Sequence, residues 1–310
     1  MNLMHMRYAV EIARTGSINK AAEALFVAQP NLSRSVKELE SDLGITIFDR
    51  STKGMTLTPK GETFIQYAKN VLRQVEEIER ICREEAETKQ RFSISVPRAS
   101  YVSEAFVQFS KSISADPAEI FYMETNSNKA INNILNSDYH LGIIRYAANY
   151  EQFFTSWLEE KGLEGELIAE FRYKLVLSND NPLSKKEKLS FEDLKPLIEI
   201  SHGDPYVPSL PLNVIQKEEQ REDIQRHIFL FERGAQFNLL MENPETFMWV
   251  SPLPPHFLKT CNLAQKECTD QTKIYKDVLI CRKGYRKSEL DKRFLKELEL
   301  SKKRCFFPTL

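Results

Sequence analysis

The residues from 29 to 37 carry side chains suited to reading a nucleic acid. Gln29 and Asn31 each present an amide that can pair bidentately with adenine, and Arg34 a guanidinium that can do so with guanine. Ser33 and the helix N-terminus beside it suit a phosphate, and Lys37 adds positive charge. Such groups read sequence only when one rigid element presents them together. The apolar positions supply that element: Leu32, Val36, Leu39 and Leu43 recur at intervals of four, three and four, so a helix that buries them turns the polar set outward. Pro30 suits its first turn and Gly44 its end. The same stripe also fits the solvated face of a small helical bundle, and polarity alone does not separate the two.

The flanking segments favour the first reading. Leu3, Met6, Val10 and Ala13 mark one helix face, closed by Gly16; Ser17 then caps a second helix with Ile18, Ala21, Ala22 and Leu25 inward. Residues 26–28 form a tight turn into the third helix. This is a helix-turn-helix, whose second helix enters the DNA major groove. Residues 45–48 and 55–57 read as strands of a hairpin wing, with Arg50, Thr52 and Lys53 at its tip for backbone phosphates. Thr58 and Pro59 open a fourth helix.

Residues 2–64 resemble the winged helix-turn-helix of LysR-type transcriptional regulators. The resemblance is carried by Gly16-Ser17-Ile18-Asn19-Lys20-Ala21-Ala22, Gln29-Pro30-Asn31-Leu32-Ser33-Arg34 and Leu39-Glu40-Ser41-Asp42-Leu43-Gly44, followed by Ile47-Phe48-Asp49-Arg50 and Leu57-Thr58-Pro59-Lys60-Gly61. Ala28 departs from it, standing where the family often has a Ser or Thr cap, which weakens the helix start by about 1 kcal/mol. The resemblance implies a DNA-binding domain over 1–58, a linker and dimerisation helix over 59–90, and a periplasmic-binding-protein-like α/β effector domain over 91–310. The latter would have lobe I at 91–165 and 269–310 and lobe II at 166–268. It also implies double-stranded DNA, a small-molecule effector, a homodimer paired into tetramers, RNA polymerase as a further partner, and a cytoplasmic location.

Residue patterns bear on each of these parts. Phe64, Ala68, Val71, Val75, Ile78 and Cys82 follow a heptad seam, which suits a paired coiled coil; packing onto the protein's own body is the alternative. From Phe92 onward strand and helix signals alternate, as in an α/β sandwich with parallel strands, and residues 216–225 read as one more element. Ligands in such folds sit beyond the carboxyl ends of strands. That rule nominates Ser100 and Tyr101, Asn126 and Ser127, Arg145 and Tyr146, Ser201 and His202, and Trp249 as effector contacts. Free helix N-termini there favour an anionic ligand. Ser100, Asn126 and Ser127 equally fit plain helix caps, Arg145 an interlobe ion pair and Trp249 a core residue.

Composition excludes other classes. The chain holds 10 glycines in 310 residues, and none forms a G-x-G or a Walker A loop, so a nucleotide-driven enzyme is disfavoured. No G-x-S-x-G, H-E-x-x-H or C-x-x-C occurs, so no catalytic residue, metal or cofactor is expected and the chain is read as not an enzyme. No apolar run is long enough for a membrane span. Five cysteines leave a thiol-based redox sensor on the same scaffold as the alternative function. Net charge is -1, and residues 1–91 carry 14 basic against 13 acidic side chains, so a basic footprint has to be local.

Overall fold

The computed structural model describes residues 2–51, 54–83, 90–204 and 224–307. The chain divides into two compact units, Met1–Thr88 and Lys89–Leu310.

The first unit begins with α1 (Leu3–Thr15), capped by the Asn2 side chain on the Met4 N–H and ended by Gly16 at φ 64°. Ser17 starts α2 (Ile18–Ala24) by accepting from the Lys20 N–H, and α3 (Gln29–Leu43) ends at Gly44, also at φ 64°. Glycine takes this left-handed conformation without the steric penalty other residues meet. Ala9, Ile12, Ala21, Leu32, Val36, Leu39 and Ile47 are buried together as the core.

The wing is an antiparallel pair, β1 (Phe48–Ser51) and β2 (Gly54–Leu57), with Arg50 opposite Met55. The first strand therefore starts at the end of the expected 45–48 segment. The reason is Glu40: its Oε1 accepts the Ile47 N–H at 2.7 Å and the Phe48 N–H at 3.1 Å, binding this stretch to α3 before the ladder begins. Thr58 caps α4 (Pro59–Arg83), accepting from the Gly61 N–H at 2.9 Å and donating to the Thr46 carbonyl at 2.7 Å.

In the second unit, lobe I is a five-stranded sheet in the order β4-β3-β5-β13-β6. Its strands are β3 (Gln90–Val96), β4 (Ala118–Glu124), β5 (Leu141–Ala147), β6 (Leu163–Arg172) and β13 (Ile274–Arg282). On one face Phe92, Ile94 and Val96 pack with α5 (Ser100–Ser110) and the last helix, α11 (Glu289–Phe306); Phe92, Phe109 and Phe294 form its aromatic centre. On the other, Ile144, Tyr146, Val278 and Ile280 pack with α6 (Ser127–Asn136) and α7 (Glu151–Glu160).

Lobe II is a six-stranded sheet in the order β10-β9-β11-β7-β12-β8. It comprises β7 (Lys174–Ser178), β8 (Lys188–Leu189), β9 (Ile198–His202), β10 (His227–Leu230), β11 (Thr246–Val250) and β12 (Leu263–Cys268). The helices α8 (Phe191–Leu194), α9 (Gln236–Glu242) and α10 (Pro255–Thr260) accompany it. The element expected over 216–225 falls mostly outside the described residues.

Two expectations need correction. The sheets are mixed rather than parallel: β13 runs antiparallel to β5 and β6, and β7 antiparallel to β11 and β12. The first lobe crossing is at Tyr173, not 165, because β6 stays paired with β13 as far as Arg172 opposite Ile274, while Lys174 already pairs with Val250. The return runs between Cys268 and Ile274.

Candidate nucleic-acid interface and effector cleft

The turn between α2 and α3 is held by N–H groups of Leu25, Phe26 and Val27 bonding to Ala21, Glu23 and Ala22 carbonyls. Ala28 offers no side-chain cap, and Pro30 stands in the first turn of α3. Leu32, Val36 and Leu39 are fully buried, so the opposite face is fixed outward: Gln29, Pro30, Asn31, Arg34 and Lys37 are exposed and Ser33 is half-buried. The Arg34 Nε donates to Glu38 Oε1 at 2.8 Å, one turn along the helix. This exposed pair is worth well under ~1 kcal/mol, so Arg34 can exchange Glu38 for a base or phosphate at small cost. Arg50 lies on β1; its side chain, like Thr52 and Lys53, lies outside the described residues.

The heptad seam on α4 splits. Ala68 is buried and Phe64 packed against Met6 and Val10 of α1, in a cluster with Leu72. Those two positions are used inside the chain and are withdrawn from the dimerisation set. Val71 and Ile78 remain exposed and Val75 half-buried, a stripe left open for a partner; the Cys82 side chain lies outside the described residues. A heptad pattern marks the apolar stripe, but α1 takes its first turns.

In the second unit, two arginines missing from the sequence-based set bridge the lobes. Arg98, after β3, reaches Asp204 after β9 at 2.8 Å and donates to the Phe231 carbonyl at 2.9 Å. Arg233, after β10, pairs with Glu124 at the end of β4 at 2.5 Å, donates to Ser100 Oγ at 2.6 Å and also bonds Ser103. All four charged side chains are at most 20 % exposed. Their signal was the same as for the nominated residues, a polar side chain just past a strand's carboxyl end.

The expected residues divide around these bridges. Ser100 binds Arg233; Asn126 caps α6 through the Lys129 N–H and donates from Nδ2 to the Asp204 carbonyl at 3.1 Å. His202 lies near Arg98, Asp204 and Arg233; burial, then Arg98, lowers its pKa from 6.5 to about 4, so the ring is neutral. Its Nδ1 and the Arg233 Nε are buried without a hydrogen-bond partner among the described residues. Ser201 is half-buried on β9 opposite Phe229.

Five others make contacts within the layers. Tyr101 is fully buried and donates to Asp277 at 2.6 Å. Arg145 forks onto the same buried Asp277 at 2.7 and 2.6 Å, its direct cross-strand neighbour. Tyr146 stacks on Phe154 at 4.4 Å, and Trp249 packs edge-on against Phe191 and Phe247. Ser127 ties to the Arg145 backbone, accepting its N–H and donating to its carbonyl. Strand alternation turns Arg145, Tyr146 and Trp249 into the layers, while Tyr101 and Ser127 sit on the first turns of α5 and α6 and face the sheet.

Comparison with known proteins fits this arrangement. The profile for "Bacterial regulatory helix-turn-helix protein, lysR family" matches residues 3–62. The regulator AlsR of Bacillus subtilis is 25 % identical over 71 % of this chain and 70 % of its own length. Residues 3–62 therefore carry a LysR-family helix-turn-helix domain. An uncharacterised regulator of Bacillus subtilis, YcgK, is 43 % identical over 31 % of this chain, a match spanning 30 % of YcgK's length. Full-length OxyR from Pseudomonas aeruginosa aligns over 98 % of this chain and 95 % of its own, with a TM-score of 0.57 and 17 % identity. CbnR, in a structure with its target DNA, aligns over 97 % of this chain and 100 % of its own, with a TM-score of 0.57 and 19 % identity. Likeness at this identity establishes the fold alone: a winged helix-turn-helix followed by a two-lobed domain.

Among the described residues no group of His, Cys, Asp and Glu could hold a metal ion, and no helix is long and apolar enough to cross a membrane.

Proposed function

We propose that this chain is a sequence-specific DNA-binding transcriptional regulator of the LysR family, acting as a homodimer that pairs further into a tetramer. It is not an enzyme, works in the cytoplasm beside RNA polymerase, and responds to a small molecule held between the lobes of the second unit. The observation that carries the reading is the outward face of α3, with Gln29, Asn31, Arg34 and Lys37 exposed together on a helix whose other face is fully buried. Residues 1–58 form the DNA-binding part, α4 the linker with Val71, Val75 and Ile78 toward the partner, and the two lobes the effector domain.

An effector contacting Arg98, Ser100, Asn126, His202 or Arg233 competes with the interlobe bridges, and an anion is favoured because it can replace Asp204 or Glu124 at an arginine. Binding then shifts the population between lobe arrangements, and with it how the paired helices hold and bend an operator.

The test is in vitro selection of duplexes by the full chain, followed by a salt titration. Binding has to weaken steeply with salt, and Arg34→Ala has to relax discrimination at one base pair by about 1–3 kcal/mol. Unchanged discrimination removes α3 as the reading element.

The redox alternative is disfavoured by the thiols. Burial pushes Cys281 up to about 11 and Cys305 up to about 12, in each case with a nearby glutamate adding to it, and burial raises Cys261 as well. Groups so held resist forming the thiolate that peroxide attacks. Thiol counting before and after dilute peroxide should show no loss from these three; a rapid loss would restore the redox reading.

A further inference from the structure

Three left-handed residues follow the helices of the first unit. Two are glycines, Gly16 after α1 and Gly44 after α3, each at φ 64°. The third, after α2, is Phe26 at φ 54°. An aromatic residue is strained in this conformation, where glycine or asparagine is not. Nothing among the described residues offsets the strain, because the ring is 96 % exposed while its neighbours Leu25 and Val27 pack into the core. The free protein thus carries a strained backbone and a fully wetted phenyl ring at one position where glycine would serve the turn.

The position explains what the ring is for. Phe26 stands three residues before Gln29, and the exposed surface runs on through Ala28, Gln29, Pro30 and Asn31. In a helix-turn-helix the N-terminal residues of the second helix meet the base edges in the major groove. The apolar group on that groove's floor is the thymine 5-methyl, a recognised partner for phenylalanine. We propose that Phe26 is a specificity residue that lays its ring against a thymine methyl group at the start of the recognition helix. The inference rests on the DNA-binding reading above and adds to it a base-class preference outside the polar set.

The experiment uses the full chain and the duplex it selects from a random pool, with each thymine replaced in turn by deoxyuridine. The native protein should lose about 3–10-fold in affinity at one thymine per half-site. Phe26→Asn fits the left-handed turn, so its thermal midpoint should be equal or higher, while it binds the unmodified duplex about 5–10-fold more weakly and ignores the deoxyuridine replacement. Equal sensitivity of both proteins to every replacement, or unchanged affinity of Phe26→Asn, overturns the proposal and leaves the DNA-binding reading standing. Selection of no duplex by the native chain overturns both.

Discussion

Gly61→Ala tests how the wing is joined to the recognition helix. A Cβ built on Gly61 would lie 2.1 Å from the Ile47 carbonyl oxygen and 2.9 Å from its carbon. Both contacts are backbone, so no side chain can swing away; α4 and the strand entrance would have to part by about 1 Å in a close-packed core. That oxygen accepts the Thr58 N–H at 3.0 Å, and the Ile47 N–H donates to Glu40 at 2.7 Å, so the displacement loosens both bonds. Overpacking costs about 1–3 kcal/mol and a weakened hydrogen bond about 1 kcal/mol. A donor left buried and unpaired adds a further ~1–3 kcal/mol, while the better helix propensity of alanine returns about 1 kcal/mol. The net expectation is a loss of about 2–6 kcal/mol, which for a unit of this size lowers the melting midpoint by about 10 °C or more. Urea and thermal unfolding of the full chain, followed by a probe in the first unit, measure it. A change below about 1 kcal/mol would refute the reasoning, because it would mean that the close approach is not a constraint on the fold.

Three other outcomes follow from the second unit. Asp277→Asn leaves the Arg145 guanidinium buried beside an amide, with Tyr101 still donating toward it, and should destabilise this unit by about 3–5 kcal/mol in denaturant titration; a loss under 1 kcal/mol would show the pair to be solvated. His202 titrates near 6.5 unfolded and about 4 folded, so the unfolded chain binds more protons between those values. Stability should therefore be complete above pH 6.5 and fall by up to about 3 kcal/mol as pH drops toward 4; His202→Gln should flatten that slope, and an unchanged slope would place the titration elsewhere. Arg233→Met removes the bridge to Glu124, Ser100 and Ser103 and should raise hydrogen exchange at the start of α5 and the end of β10; exchange equal to the native protein's would show that the bridge does not hold the lobes together.

The first unit is legible in sequence because its signals are local. Gly16, Ser17, Pro30, Gly44 and Thr58 mark helix ends by their own conformational preferences, and Leu32, Val36 and Leu39 give a period that only one face satisfies. Glu40 was not legible as a structural residue. Its role is to hold two N–H groups seven and eight residues ahead, and nothing in a charged residue on a helix announces such a partner. The α4 seam failed for a related reason: periodicity shows that Phe64 and Ala68 are covered, not whether α1 or a second chain covers them. In the second unit the strand pattern found the elements but not the lobe to which each belongs. The run from 167 to 177 mixes apolar residues with Glu170, Arg172 and Lys174 without a Gly or Pro, and the single residue Tyr173 at which it changes sheets carries no turn signal.

The cleft shows the same limit in its charges. A residue near a strand's carboxyl end can face the cleft or a layer, and sequence does not separate Arg98 and Arg233, which follow their strands, from Arg145, which lies inside β5. What separates them is the partner. Asp277 is a lone carboxylate in the apolar strand β13, fully buried, and a buried carboxylate requires a cation. Arg145 is the residue opposite it in the ladder, so Arg145 is committed before any ligand arrives. Arg98 and Arg233 are instead answered by Asp204 and Glu124 across the lobes, where both sides can move apart. With His202 neutral these four charges cancel, while His202 Nδ1 and Arg233 Nε stay without a hydrogen-bond partner among the described residues. If the effector enters there as proposed, it would gain only the difference between its own contacts and the bridges it replaces, and that difference would set how far it can shift the lobes.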